Sequence, residues 1–147
     1  MLVKRRYILG GLVSALAIGG ALALDLIGPV APPQPLVLQF SRGAVLAQGE
    51  DARLQAFAGQ FVAEQKIQFH ITGHTGDQGD SDANQDLSQQ RADMVAAALV
   101  DAGVTVDRIL STKGVASANT LPKDGDESDR QHQRRMARAI VTAIVQK

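Results

Sequence analysis

The chain has 147 residues, 45% of them hydrophobic, with 15 basic and 15 acidic side chains and no cysteine. Set apart from its apolar N-terminus, it is long enough for one domain around one core. Without cysteine, disulfides, thiolate metal sites, thiol nucleophiles and a lipidated-cysteine anchor are excluded.

Lys4, Arg5 and Arg6 stand directly before an uncharged run from Tyr7 to Leu24, and Asp25 closes it. This is the layout of a signal peptide or a signal-anchor with its cationic end held in the cytoplasm. The length of the run suits a spanning helix, while Ala21-Leu22-Ala23 supplies a small-x-small cleavage site. Residues 1–28 are therefore expected to be either a signal peptide or a transmembrane helix, and both place the remainder outside the cytoplasm. Pro29, Pro32, Pro33 and Pro35 make 29–35 an extended, semi-rigid linker. Removing the four flanking charges leaves the rest of the chain with two excess negative charges and four phenylalanines as its aromatics. No basic stacking surface for nucleic acid is expected from that balance.

Leu36–Phe40 is a short apolar run suited to a buried strand. Glu50–Glu64 reads as a helix with Leu54, Phe57, Ala58 and Phe61 along one face. Ile67–Thr72 alternates as a strand with Ile67, Phe69 and Ile71 inward. Gly73–Asp82 is a loop holding three glycines and three aspartates. Asn84–Ala102 is a second helix, which Gly103 is placed to end. Arg108–Lys113 is a third strand. Gly114–Gln133, polar and with four acidic residues between Asp124 and Asp129, is expected to be a long surface loop. Met136–Val145 closes as a strand with Ala137, Ala139, Val141, Ala143 and Val145 on one face. The order β-α-β-α-β-β predicts an α/β (α+β sandwich) fold, a mixed sheet with two main helices on one face.

The second helix carries an arginine where an apolar residue is expected. Leu87, Met94, Ala98 and Ala102 form a stripe with Val95 and Leu99 at its edge, and Arg91 falls in the middle. Arginine is seldom buried without a partner, because desolvating an unpaired charge is costly. Either Arg91 forms an internal salt bridge to Asp77, Asp80, Asp82 or a later aspartate, or it waits at the rim of the core for a ligand carboxylate, which its planar fork suits. Residue physics leaves those alternatives open.

Gly73-His74-Thr75, Gly79, Asn84, Leu87-Ser88 and Arg91-Ala92 reproduce without a gap the pattern GHTDxxGxxxxNxxLSxxRA, and Gln133-Arg134-Arg135-Met136 resembles a closing NRRV. Over about residues 36–145 the chain resembles the OmpA-like peptidoglycan-binding domains. The resemblance implies a domain over 36–147 that binds the diaminopimelate of the wall's stem peptide without covalent chemistry. It implies that Arg91 meets a ligand carboxylate and that Asn84, Thr75 and Arg135 line the same site. The sequence departs from the family where the GHTD aspartate, which receives the ligand ammonium, aligns with Gly76. The nearest acid is Asp77, one place later, and the NRR asparagine is replaced by Gln133.

Other chemistry is weaker in the sequence. His70, His74 and His132 have no supporting carboxylate spacing for a metal site. Asp80, Asp82, Asn84 and Asp86 imitate half a calcium loop, but Gln85 and Arg91 stand where a glycine and a bidentate glutamate are required. Ser41 and Ser88 lack a base nearby in sequence. No enzyme, metal or cofactor is expected. The expected partners are peptidoglycan, the membrane through the N-terminal segment, and an envelope protein or a second copy of the chain. The expected location is the cell envelope, with the domain in the periplasm.

Overall fold

The computed structural model describes residues 33–146. The expected membrane segment and the linker up to residue 32 lie outside the described residues. Among the described residues no helix is long and apolar enough to cross a membrane.

The elements are β1 (Leu36–Arg42), β2 (Val45–Leu46), α1 (Glu50–Gly59), β3 (Ile67–Gly73), α2 (Ser81–Asp101), β4 (Ile109–Gly114), α3 (Asp129–Met136) and β5 (Arg138–Val145). They build a five-stranded sheet in the order β2-β1-β5-β3-β4. β3 and β4 are parallel, joined through α2, and the other pairs are antiparallel. The sheet is mixed, as the α/β reading requires, because one crossover helix links its only parallel pair.

Alternation along the strands sorts side chains to two faces. Leu38 and Phe40, Phe69 and Ile71, and Ala139, Val141 and Ala143 are buried, whereas Gln68, His70, Thr72, Ile140 and Thr142 between them are only half-buried. On the core face these residues meet Leu54, Phe57 and Ala58 of α1 and Ala92, Val95 and Leu99 of α2. Phe61, just past α1, completes an edge-to-face trio with Phe57 and Phe69, the ring centroids lying 5.0, 5.9 and 6.3 Å apart. Val145, expected on the core face, is exposed at the sheet end.

Two expectations change. The buried stripe of α2 runs through Ser88, Arg91, Ala92, Val95 and Leu99, with Leu87, Met94 and Ala98 only half-buried. Bulk is the reason. β3 and β4 approach α2 so closely that a Cβ at Gly73 would collide with the Ser88 carbonyl, and one at Gly114 with the Gln89 backbone. Small Ser88 and Ala92 therefore face the sheet where Leu87 and Met94 would not fit. The second change is α3, which occupies the C-terminal part of the expected loop and takes Met136 out of the last strand. Its start is fixed by a capping box: Gln131 N–H donates to Ser128 Oγ while Ser128 N–H donates to Gln131 Oε1.

The close approach of β3 to α2 sets a stability test. Gly73→Ala must push backbone against backbone, and we expect a loss of about 1–3 kcal/mol in urea unfolding. Gly59→Ala, where nothing lies within 4 Å of the added carbon, should instead hold or raise stability by about 0.4–1 kcal/mol.

Candidate functional site

The site lies where β3 ends. The loop beyond it is pinned by backbone hydrogen bonds: His74 N–H donates to Arg138 O at 2.8 Å, Thr75 N–H to Ala116 O at 2.9 Å, and Val115 N–H to Gly73 O at 3.0 Å. His74 and Thr75 are thereby buried. Their side chains are incompletely used. His74 Nδ1 lies 3.2 Å from Ala118 O, but His74 Nε2 and Thr75 Oγ1 are buried without a hydrogen-bond partner among the described residues. Two such atoms side by side are unusual, since buried polar groups are nearly always satisfied.

The loop then delivers Asp80 as the N-cap of α2, its Oδ1 accepting from Ala83 N–H at 2.8 Å. Asn84, one turn into the helix, donates from Nδ2 to Gln78 O at 3.0 Å and closes the loop on itself. Arg91 follows two turns later. It is 5% exposed. Its Nε donates to Gly43 O at 2.8 Å and its Nη1 to His74 O at 2.6 Å. The guanidinium also stacks over Phe40, 5.0 Å from the ring centroid. Arg91 thus joins the β1–β2 turn, the loop after β3 and α2.

Neither alternative left open for Arg91 is met in its simple form. Among the described residues no carboxylate pairs with it. Its charge is solvated by carbonyl dipoles and an aromatic face. Burial lowers its pKa from the ordinary arginine value, and no acidic neighbour opposes that shift. Nη2 makes no hydrogen bond to a described residue.

The remaining expected residues divide between two places. Asp77 is exposed, and its Oδ1 accepts from Gln133 Nε2 of α3 at 2.6 Å. Arg135 points into its own clasp: Nε and Nη2 hold the two oxygens of Glu127 at 2.9 and 2.8 Å, and Nη2 also donates to Pro122 O at 2.7 Å. The Arg135 guanidinium holds the Glu127 carboxyl down to about 2. Arg135 lines a hollow of about 580 Å³ between β1 and α3, whose wall includes Phe40, Ala47, Gln131 and Arg134. Arg91 therefore reaches the loop at the His74 carbonyl, one residue before Thr75. Asn84 ties the loop that leads there, and Arg135 belongs to a neighbouring ion pair.

Three buried or clasped groups escaped the sequence reading. Arg138, 4% exposed, donates from Nη2 to Asn119 O at 2.9 Å. Arg108, 2% exposed, gives its hydrogen bonds to Phe61, Glu64 and Ile67 carbonyls and stacks on Phe69 at 5.4 Å. Glu127 was read only as part of an acidic loop. Nothing in local spacing announces Arg108 or Arg138, because each is covered by segments distant in the chain. The three histidines go to three different partners, Ser111, Ala118 and Leu121. Among the described residues no group of three or more metal-ligating side chains is assembled.

A family profile described as the OmpA family matches residues 40–135. A probable lipoprotein, YiaD, of Escherichia coli K12 is 38% identical over 71 residues, covering 48% of this chain and 32% of the relative. The chain thus spans about a third of that relative's length. The crystal structure of the peptidoglycan-associated lipoprotein of Burkholderia pseudomallei superposes with a TM-score of 0.64 at 22% identity, over 74% of this chain and 89% of that one. The periplasmic domain of Helicobacter pylori MotB superposes with a TM-score of 0.62 at 15% identity, over 81% of this chain and 80% of that one. At these identities the two structures establish the fold.

His74 generates a pH test. Burial, then the Arg138 charge, lower its pKa below 6.5, with the Ala118 carbonyl partly opposing. The folded chain therefore stays neutral at His74 where an unfolded chain takes up a proton. Stability is complete above pH 6.5 and falls as pH drops below it towards the folded value. Urea unfolding between pH 7.5 and 5 should show that decline, and His74→Gln should remove its share of the slope.

Proposed function

The chain belongs to the OmpA family, and from that premise we propose that residues 36–147 bind peptidoglycan non-covalently, through the diaminopimelate of the stem peptide. In this reading the domain tethers the cell envelope to the wall from the periplasm. The N-terminal segment serves as its membrane anchor or as a cleaved signal. The observation that carries the proposal is the Arg91 guanidinium: buried, oriented by two carbonyls, and balanced by no carboxylate among the described residues. A ligand carboxylate would supply the missing counter-charge in a bidentate or single contact. Thr75 follows His74, whose carbonyl Arg91 holds, and its buried, unpartnered hydroxyl would donate to the same ligand once the loop opens to it. The binding chemistry needs no metal or cofactor and breaks no covalent bond.

A second reading rests on a different observation. Asp77 is already engaged by Gln133, and Arg135 by Glu127. If those contacts persist in solution against ligand, the domain is a degenerate OmpA-like fold that serves as an envelope protein-interaction module. A Gly76→Asp change combined with Asp77→Gly, which restores the family's acid position, should then create wall binding that the parent lacks.

Co-sedimentation with purified sacculi, using the 147-residue chain in detergent, tests the first reading. Arg91→Ala should reduce pelleting by about tenfold or more, the equivalent of one charged contact. Because Arg91 also holds the fold together, Thr75→Val is the cleaner partner. It removes an unpartnered hydroxyl at near-constant volume, so the unfolding midpoint should hold while binding weakens severalfold. Pelleting that is equal for the parent and both variants, or absent for the parent, defeats the proposal.

A further inference from the structure

At Gly76 the end of a side chain from α3 fills the space that a Cβ would take. The glycine's φ lies outside the left-handed region, so the backbone does not demand it, yet a Cβ built there collides with the end of the Gln133 side chain. Gln133 comes from α3, 56 residues away in sequence from the acid that it holds. Its amide oxygen lies against the bare Gly76 backbone, and its amide nitrogen donates to Asp77 Oδ1 at 2.6 Å. Gln133 is half-buried while Asp77 is exposed, so the better-fixed partner is the glutamine. A half-buried side chain that donates to the carboxylate gives it a direction that an exposed aspartate does not keep alone.

We infer that Gln133, seated in the space left by Gly76, is the positioning residue that aims the Asp77 carboxylate at the ammonium group of the ligand. The three residues form one unit. Any side chain at position 76 expels the Gln133 amide, and expulsion releases Asp77. Oδ1 is taken by the amide, which leaves Oδ2 to receive a cation. This inference rests on the wall-binding reading for its ligand, but the seat of Gln133 does not.

The probes are the tripeptide L-Ala-γ-D-Glu-meso-diaminopimelate and the same peptide acetylated on its side-chain amine, titrated against the 147-residue chain in detergent. The parent should prefer the free amine by about tenfold, the scale of one charged hydrogen bond. Asp77→Asn, Gln133→Ala and Gly76→Ala should each bring that preference close to one, while binding of the acetylated peptide through Arg91 holds. A merely structural glutamine would weaken both peptides together. Retained preference in Gln133→Ala overturns the inference. The ligand-free readout is the Gln133 side-chain amide signal in ¹⁵N NMR, which should move on Asp77→Asn and on Gly76→Ala. An unmoved signal also overturns it. A parent that binds neither peptide defeats the wall-binding reading and the ligand clause with it, whereas the amide signal still decides the seat.

Discussion

The Arg91 guanidinium is the contact on which the end of this domain depends. It takes one carbonyl from the turn after β1 and one from the residue after β3, and its Cζ sits over the Phe40 ring. Hydrogen bonds to a charged group contribute about 1.5–3 kcal/mol each, so the arginine offsets its own desolvation by binding backbone dipoles. An aspartate in the same place would neutralise the charge. Carbonyls fix the group without cancelling it. The side chain therefore supports the fold with its charge balanced by no carboxylate among the described residues.

Arg108 repeats the solution at another position in the domain. It too stacks on a phenylalanine, Phe69, and spends its hydrogen bonds on carbonyls, those that follow α1. Arg138 is a third buried arginine held by a loop carbonyl. Cations serve here as connectors between irregular segments, whose carbonyls lack regular ladder partners. Arg135 differs because its partner is a carboxylate. Its charge is balanced within the chain by Glu127, and Asp124 lies 3.4 Å away.

Much of this was legible beforehand, for identifiable reasons. The alternation of Ile67–Thr72 and the spacing of Leu54, Phe57, Ala58 and Phe61 are local signals, and the structure buries those phenylalanines and aliphatics as expected, except Ile67, which is half-buried at the strand start. The misplaced arginine was legible because it broke a helical stripe. What local pattern could not give was the partner across the fold. Gln133 meets Asp77, and Arg91 meets Gly43, only after the sheet has assembled. The stripe of α2 was set one position away because the sequence ranks Leu87 and Met94 by hydrophobicity, whereas contact with Gly73 and Gly114 selects by size. α3 was missed although Ser128 and Gln131 carry a readable capping signal, because charge density around it resembled a solvated loop.

The strand order has a consequence for biogenesis. β5 lies between β1 and β3, yet it is the last element of the chain. Without it, the first and third strands have no neighbour in common, and only the β1-β2 hairpin and the β3-α2-β4 unit can form from nearby residues. Sheet closure then brings together residues about a hundred positions apart, such as Leu38 and Ala139, a slow kind of contact for a chain to find. A sheet whose central strand follows the other four in sequence closes only when that strand joins it.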